Sequence, residues 1–137
     1  MIRTAATVVA TGLLLSGCAP VESEDRFVSE APMASVTGEP VSCLNTANIR
    51  QSRVHDDRTI DFEVGSRTYR NTLRPGCSGL GFEKSFTYST SINRLCSGEI
   101  VYVLHTFGGQ LDRGAGCSLG EFVPIEYVDR DIDTMQQ

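Results

Sequence analysis

The sequence has few helix signals, a single lysine and no clustered metal ligands, and each shortage argues against a class of protein. Only Thr90–Leu95 has the pattern of a helical turn, so we do not expect a helical fold. Lys84 is the one lysine and the formal net charge is −5, which argues against a basic nucleic-acid-binding surface. No C-x-x-C pair and no cysteine–histidine cluster is present. We therefore expect no metal site and no cofactor.

One long apolar stretch is present, and it lies at the N-terminus. Arg3 precedes eleven largely apolar residues from Ala5 to Leu15, and Ser16-Gly17-Cys18 follows them. A positive end, a short apolar middle and small residues predict a secretory signal peptide over residues 1–17. Eleven residues are well short of the ~20 that span a bilayer as a helix.

The run Leu15-Ser16-Gly17-Cys18 resembles the lipobox of bacterial lipoproteins. The resemblance implies that Cys18 is acylated on its sulfur and, after cleavage, on its amine, which anchors the protein in a membrane. The next residue, Ala19, is not the aspartate that retains many lipoproteins in the inner membrane. The resemblance therefore implies the outer membrane, with the protein facing the periplasm.

The remaining chain divides by composition into three parts. Residues 18–42 hold three of the five prolines and no periodic apolar pattern, which predicts a lipidated, flexible, disordered tether. By the coil estimate, such a tether reaches ~25–30 Å. Residues 43–127 alternate with period two, and residues 128–137 read as a frayed acidic tail.

The alternation predicts an all-β fold, a small antiparallel barrel or sandwich of about five to seven strands. In Thr59–Val64, for example, Ile60 and Phe62 face one way and Asp61 the other. A glycine-rich loop is expected from Gly108 to Gly116. The predicted strands are Ile49–Val54, Thr59–Val64, Arg67–Leu73, Ser85–Thr90, Ile100–Leu104 and Leu119–Val123.

Once Cys18 is assigned to lipid, an even set of cysteines remains in an exported chain, which predicts two disulfides. The set is Cys43, Cys77, Cys96 and Cys117. Three pairings are possible, and we favour Cys77–Cys96 with Cys43–Cys117.

Several segments between Cys43 and Pro124 resemble a family of small exported proteobacterial proteins that is known only as a domain of unknown function. The resemblance rests on Cys43-Leu44, Val54–Ile60, Tyr69–Leu73, Cys77–Leu80, Phe86–Ser91, Leu95-Cys96 and Cys117–Phe122. The family usually has proline where Ser78 stands. It brings no known activity, so it supports the domain and its cysteines without implying a function.

A group of arginines is the constellation that could contact an anion or a protein partner. Their planar guanidinium groups suit carboxylate or phosphate groups of the envelope. Acidic residues in the same span make cross-strand ion pairs the simpler interpretation. The candidates are Arg50, Arg53, Arg67, Arg70 and Arg74, with Arg58 in the same span.

Four other motifs have simple structural interpretations. Ser118 lies in a G-x-S-x-G run, but no helix is predicted after it, as the nucleophile elbow of hydrolases requires. His55-Asp56-Asp57 is typical of a hairpin turn. The run Gly76–Gly81 lacks the Lys-Ser/Thr of a phosphate loop. Asn71 falls on the inner face, where we expect a structural hydrogen-bond node.

No catalytic residue is assigned from these patterns. We expect a non-enzymatic envelope protein that contacts another envelope protein or a cell-wall component. Two alternatives stay open: an envelope hydrolase acting on peptidoglycan or lipid, and a small-ligand-binding β-barrel.

Lipidation makes the first testable prediction. Replacing Cys18 with serine removes the acylated sulfur, so the Cys18→Ser variant should move from the membrane to the soluble fraction. Fractionation of cells expressing either form measures this change. An unchanged membrane fraction would contradict acylation at Cys18.

Overall fold

Short antiparallel strands make up most of residues 27–128, which are the part of the chain that this computed structural model describes. One 3-10 turn, Thr46–Asn48, and one turn of α-helix, α1 (Leu80–Glu83), interrupt them. The ten strands are β1 (Ala34–Val36), β2 (Cys43–Asn45), β3 (Ile49–Val54), β4 (Thr59–Val64), β5 (Arg67–Thr72), β6 (Phe86–Thr87), β7 (Arg94–Cys96), β8 (Ile100–Phe107), β9 (Gln110–Ser118) and β10 (Phe122–Tyr127).

The strands form three sheets with the orders β1-β10-β5-β4-β3, β2-β7 and β6-β8-β9. The predicted all-β antiparallel class is confirmed, in a sandwich-like form whose larger sheet is open at β1 and β3. The described strands outnumber the predicted five to seven, because β9 replaces a predicted loop and because β1, β2 and β7 have only three residues each. Strands that short show no alternation that could be read from sequence.

The core lies between the sheets and is built from alternate residues of their strands. Ile60 and Phe62 of β4 are fully buried on the inner face, as the alternation predicts. The Phe62 ring meets Phe86 of the three-stranded sheet and Phe122 of β10 edge-on, at centroid distances of 6.1 and 5.5 Å. Burying each such side chain contributes ~1.5–3 kcal/mol, and the Phe62–Phe86 contact joins the larger sheet to the three-stranded sheet.

The predicted glycine-rich loop is wrong, because Gln110–Ser118 forms β9. Only Gly108 and Gly109 form the turn, with φ of 59° and 80°. Gly114 lies within the strand beneath His105, where an added Cβ would stand 2.1 Å from the imidazole Nε2. The glycine is needed for this close cross-strand approach and not for flexibility.

Three other local predictions are corrected. The last strand is Phe122–Tyr127 in place of Leu119–Val123. Only Phe86–Thr87 of the predicted strand Ser85–Thr90 is extended and paired. The helical turn lies at Leu80–Glu83, where Leu80 is buried, and not at Thr90–Leu95.

The predicted tether is too long at its C-terminal end. Ala34–Val36 forms β1 and pairs with β10, and Val41 continues along the same edge opposite Phe122. Thr37 N donates to Pro124 O over 2.9 Å. Pairing with this segment satisfies backbone groups of β10 that would otherwise be unpaired. The amino-acid composition of the segment does not indicate this pairing. The predicted signal peptide, Cys18 and residues 129–137 lie outside the described residues.

All four remaining cysteines are in disulfides, as predicted, but the favoured pairing is wrong. The bridges are Cys43–Cys96 and Cys77–Cys117. Cys43 and Cys96 are directly opposite each other in the β2–β7 pair. The loop at Cys77 packs under β9, which brings Cys117 within 5.6 Å of it between Cα atoms. The spacing of the cysteines in the sequence does not indicate which of them lie close together in the fold.

Each disulfide should stabilise the fold through the unfolded chain. The bridges close loops with separations of 53 and 40 residues, for which the chain-entropy estimate is ~4 kcal/mol each. Replacing either pair with alanine should lower the free energy of unfolding by about that amount in chemical denaturation.

Non-reducing peptide mapping should recover Cys43 linked to Cys96; a Cys77–Cys96 peptide would contradict this pairing.

Candidate functional site

A buried carboxylate organises the outer face of the larger sheet. Asp61 is only 1% exposed and points away from the core, between Ile60 and Phe62, which point into it. We define the Asp61 cluster as Asp61 with the three side chains bonded to it, those of His55, Arg70 and Tyr127.

The hydrogen bonds of the Asp61 cluster link four parts of the fold. Arg70, opposite Asp61 on β5, donates from Nε to Oδ1 over 2.8 Å and from Nη2 to Oδ2 over 2.9 Å. His55 Nε2 lies 2.8 Å from Oδ2 and follows the end of β3. The Tyr127 hydroxyl, at the end of β10, donates to the same Oδ2 over 2.8 Å. One carboxylate therefore fixes β4, β5, β10 and the β3–β4 turn.

The electrostatics of the cluster keep Asp61 ionised. Burial by itself raises the pKa of Asp61, but hydrogen bonds from Arg70, Tyr127 and His55 outweigh it and hold the pKa below its ordinary value. Burial and the Asp61 carboxylate raise the pKa of Tyr127 to about 12. Tyr127 thus stays a hydrogen-bond donor. A general acid must carry a proton, and Asp61 carries none at neutral pH.

Asp56, in the turn before β4, ties the N-terminal segment to the same face. Its carboxylate accepts from Ser29 Oγ over 2.7 Å, from Glu30 N over 3.0 Å and from Arg58 N over 2.8 Å. Burial raises the pKa of Asp56, but these bonds lower it below the ordinary value overall. The predicted hairpin turn at His55-Asp56-Asp57 is confirmed, and the imidazole pairs with Asp61 in place of either turn aspartate.

The second histidine makes a separate pair with a carboxylate. His105 Nδ1 lies 2.8 Å from Glu83 Oε1, which links β8 to α1. Its other nitrogen, Nε2, lies over Gly114. Within residues 27–128 neither imidazole has a hydrogen bond to a hydroxyl or thiol, so neither histidine is paired with a nucleophile in that range.

Ser118 does not lie in the strand–turn–helix context of a nucleophile elbow. It is the last residue of β9, opposite Ile100, and no helix follows it in the described chain. The next turn is held by Asn71, which is fully buried: its Nδ2 donates to Gly120 O over 2.7 Å, and Gly120 N donates to its Oδ1 over 2.9 Å. The prediction of a hydrogen-bond node at Asn71 is confirmed.

Three backbone donors of the Gly76–Gly81 run, those of Cys77, Leu80 and Gly81, are used within the protein. Gly81 N donates to Asp57 Oδ1 over 2.7 Å, so a carboxylate of the protein already uses this backbone donor. The helical turn that follows has four residues, and Cys77 fixes the loop through its disulfide.

The arginines do not form one basic surface. Arg70 is engaged by Asp61, and Arg53 is 3.0 Å from Glu63 Oε1, so the simpler interpretation of cross-strand ion pairs is confirmed for these two. The Arg58 guanidinium lies 4.6 Å from the centroid of the Phe27 ring. The three other candidates, Arg50, Arg67 and Arg74, are exposed on different elements.

Arg67 lies on the wall of an open groove, which we call the β5–β10 groove, with a volume of about 580 Å³. Its floor includes the buried Pro124 and Ile125. Sequence reasoning missed this groove because one wall, Thr37–Val41, was predicted to be tether. Its lining is Thr37, Gly38, Glu39, Val41, Ser66, Arg67, Thr68, Tyr69, Pro124, Ile125, Glu126 and Tyr127.

Comparisons with protein-family models, with curated proteins and with solved structures gave no match. The resemblance to the exported family of unknown function therefore stays a prediction. Across residues 27–128 no three side chains of His, Cys, Asp or Glu are grouped to hold a metal ion. In the same range no helix has the length and apolarity to cross a membrane.

The Asp61 cluster predicts an acid-sensitive fold. Because the folded-state pKa of Asp61 is lowered, its contribution to stability is present above the ordinary value of 3.8 and is lost as the pH falls through the lower folded value. Asp61→Asn should lower the free energy of unfolding at neutral pH by ~3–5 kcal/mol, since it leaves Arg70 without its charge partner. It should also weaken the acid dependence.

Urea denaturation at neutral and at acidic pH measures both effects. Asp112→Asn is the matched control, because Asp112 is exposed on β9. Equal acid dependence in the Asp61→Asn variant and the unchanged protein would contradict the assigned role.

Proposed function

We propose that this protein is a lipoprotein of the outer membrane that faces the periplasm and acts by binding an envelope protein, not by catalysis. We propose further that the β5–β10 groove is the binding surface. The groove's exposed mixture of charge, hydroxyl groups and apolar floor is the observation that carries this proposal.

The lining suits an extended peptide segment better than a small apolar ligand. Arg67 supplies a guanidinium group, while Glu39 and Glu126 supply carboxylates, so the groove can match a segment that bears both signs. Ser66 and Thr68 add hydroxyl groups for backbone amides. The volume of about 580 Å³ falls within the ~300–1,000 Å³ of known binding sites.

The groove is also preorganised by the rest of the fold. The Tyr127 hydroxyl is bonded to Asp61, which fixes the end of β10. On the facing wall, Thr37 N and Val41 N donate to β10 carbonyl groups over 2.9 and 2.8 Å. A surface that is ordered before binding loses less conformational entropy when a partner docks.

The N-terminal sequence and the cysteines both support the proposed location. Residues 1–17 have the order of a signal peptide, and Cys18 ends a run resembling a lipobox. Two disulfides suit an oxidising compartment such as the periplasm.

An envelope hydrolase is the second candidate, and the His105–Glu83 pair is the observation in its favour. A carboxylate on Nδ1 orients an imidazole in many nucleophilic enzymes. Here Nε2 faces Gly114 and not a hydroxyl group, and Asp61 is held ionised. The third candidate, a ligand-filled barrel, has less support because Phe62 and Phe122 fill the interior.

Site-specific photocrosslinking tests the proposed surface. A benzophenone amino acid in place of Ser66, which is exposed on the groove wall, should capture one envelope protein when irradiated in cells. The same probe in place of Ser91, exposed in the loop before β7 and outside the groove lining, is the matched control. We expect a discrete crosslinked band, identified by mass spectrometry, from position 66 alone.

A charge-reversal variant in the groove provides a second test in the same crosslinking experiment. Arg67→Glu should reduce the position-66 crosslink because the guanidinium group is replaced by a third acidic group. No crosslink, equal crosslinks from both positions, or capture of glycan fragments without protein would each contradict the proposal.

A further inference from the structure

An exposed apolar surface lies on the described chain close to its N-terminal end. Phe82 is 88% exposed, Val28 83% and Phe27 39%. These three side chains line one shallow depression together with Gly81 and the acidic side chains of Glu30, Asp56 and Asp57. We call Phe27, Val28 and Phe82 the Phe82 surface. Large aromatic side chains that are grouped and exposed in this way mark an interaction site.

The protein holds Phe82 outward. Leu80 of the same helical turn is buried in the core, Gly81 N donates to Asp57, and Glu83 is bonded to His105. With both neighbours fixed, Phe82 cannot turn inward without breaking these bonds. Its exposure is therefore a constraint of the fold.

The N-terminal side of the surface is fixed as well. Ser29 donates to Asp56, and the Phe27 ring lies under the Arg58 guanidinium at 4.6 Å. Two of the nearby carboxylates are thus occupied by donors within the protein, since Asp57 accepts from Gly81. Phe27 and Val28 stay beside Phe82 where the described chain begins.

The length of the chain between Cys18 and Phe27 limits how far this surface can lie from the predicted lipid anchor. The nine residue steps from Cys18 to Phe27 span at most ~30 Å when fully extended. Composition predicts a tether that extends to residue 42 and would hold the domain away from the bilayer. Because Ser29 and β1 make contacts within the fold, the chain between Cys18 and the domain is shorter than predicted. Phe27, which belongs to this surface, is the first described residue after the predicted anchor.

We propose that the Phe82 surface rests in the interfacial layer of the bilayer that holds Cys18, so that the domain lies on the membrane. This inference depends on the lipidation in the proposed function, and it adds an orientation. Phenylalanine and valine side chains suit the boundary between headgroups and acyl chains. The Lys84 ammonium, exposed next to this helical turn, donates to His55 O, and its charge adds a cation beside the three carboxylates of the depression.

The absence of tryptophan from the sequence allows a sharp test. Phe82→Trp gives the full-length lipidated protein one indole, on the proposed contact surface. Ile92→Trp is the matched control, because Ile92 is 62% exposed and lies in the loop before β7, outside the depression. Each protein is reconstituted into vesicles of phosphatidylethanolamine and phosphatidylglycerol, with and without bromine on the acyl chains.

We expect the indole at position 82 to show a blue-shifted emission and to be quenched by brominated lipid. The indole at position 92 should show neither change. Flotation of the same samples reports anchoring separately from orientation. If the protein floats with the vesicles but position 82 is not quenched, the orientation is overturned while the lipid anchor stands.

Two other outcomes also overturn the inference. Failure of the protein to float would contradict the anchor and the orientation together. A blue shift at position 82 that appears without vesicles and grows with protein concentration would assign the surface to a second copy of the chain.

Discussion

The ionised carboxylate of Asp61, buried on the outer face of the larger sheet, is the constraint on which the rest of the structure depends. A buried charge without partners is very costly, so the fold must supply donors to it. Arg70, His55 and Tyr127 do so from three different elements. Tyr127 fixes the end of β10, and β10 in turn pairs with β1 and one wall of the β5–β10 groove. The groove therefore owes its shape to a charge that lies outside the hydrophobic core.

Sequence patterns predict the parts of this fold that depend on alternation, and they miss the parts that depend on distant neighbours. The order Ile60-Asp61-Phe62 indicates one inward and one outward face, and both are observed. Alternation does not indicate that Asp61 is buried, because its donors come from residues six, nine and 66 positions away. Gly114 was misassigned to a loop for a similar reason. Its need for space comes from His105, across the hairpin. The arginine pairs could be foreseen from nearby acidic residues, whereas the groove could not.

The proposed function and the proposed orientation use different surfaces of the described fold. The groove contains charged groups, hydroxyl groups and a buried apolar floor, which suits a peptide partner. The Phe82 surface has two aromatic side chains and a valine beside the start of the described chain, which suits a lipid boundary. A protein with both would hold a partner close to the membrane. Such a role needs position and rigidity, and it needs no reactive group.

The protonation of Asp61 tests most directly whether this site is built for structure and not for proton transfer. The carboxyl ¹³C resonance of Asp61, assigned with the Asp61→Asn variant and followed by NMR during an acid titration, reports it without relying on function. We expect a midpoint below the ordinary value of 3.8, because three donors hold the charged form. A midpoint above that value would mean that burial outweighs the donors. It would contradict the structural role and favour an acid–base site.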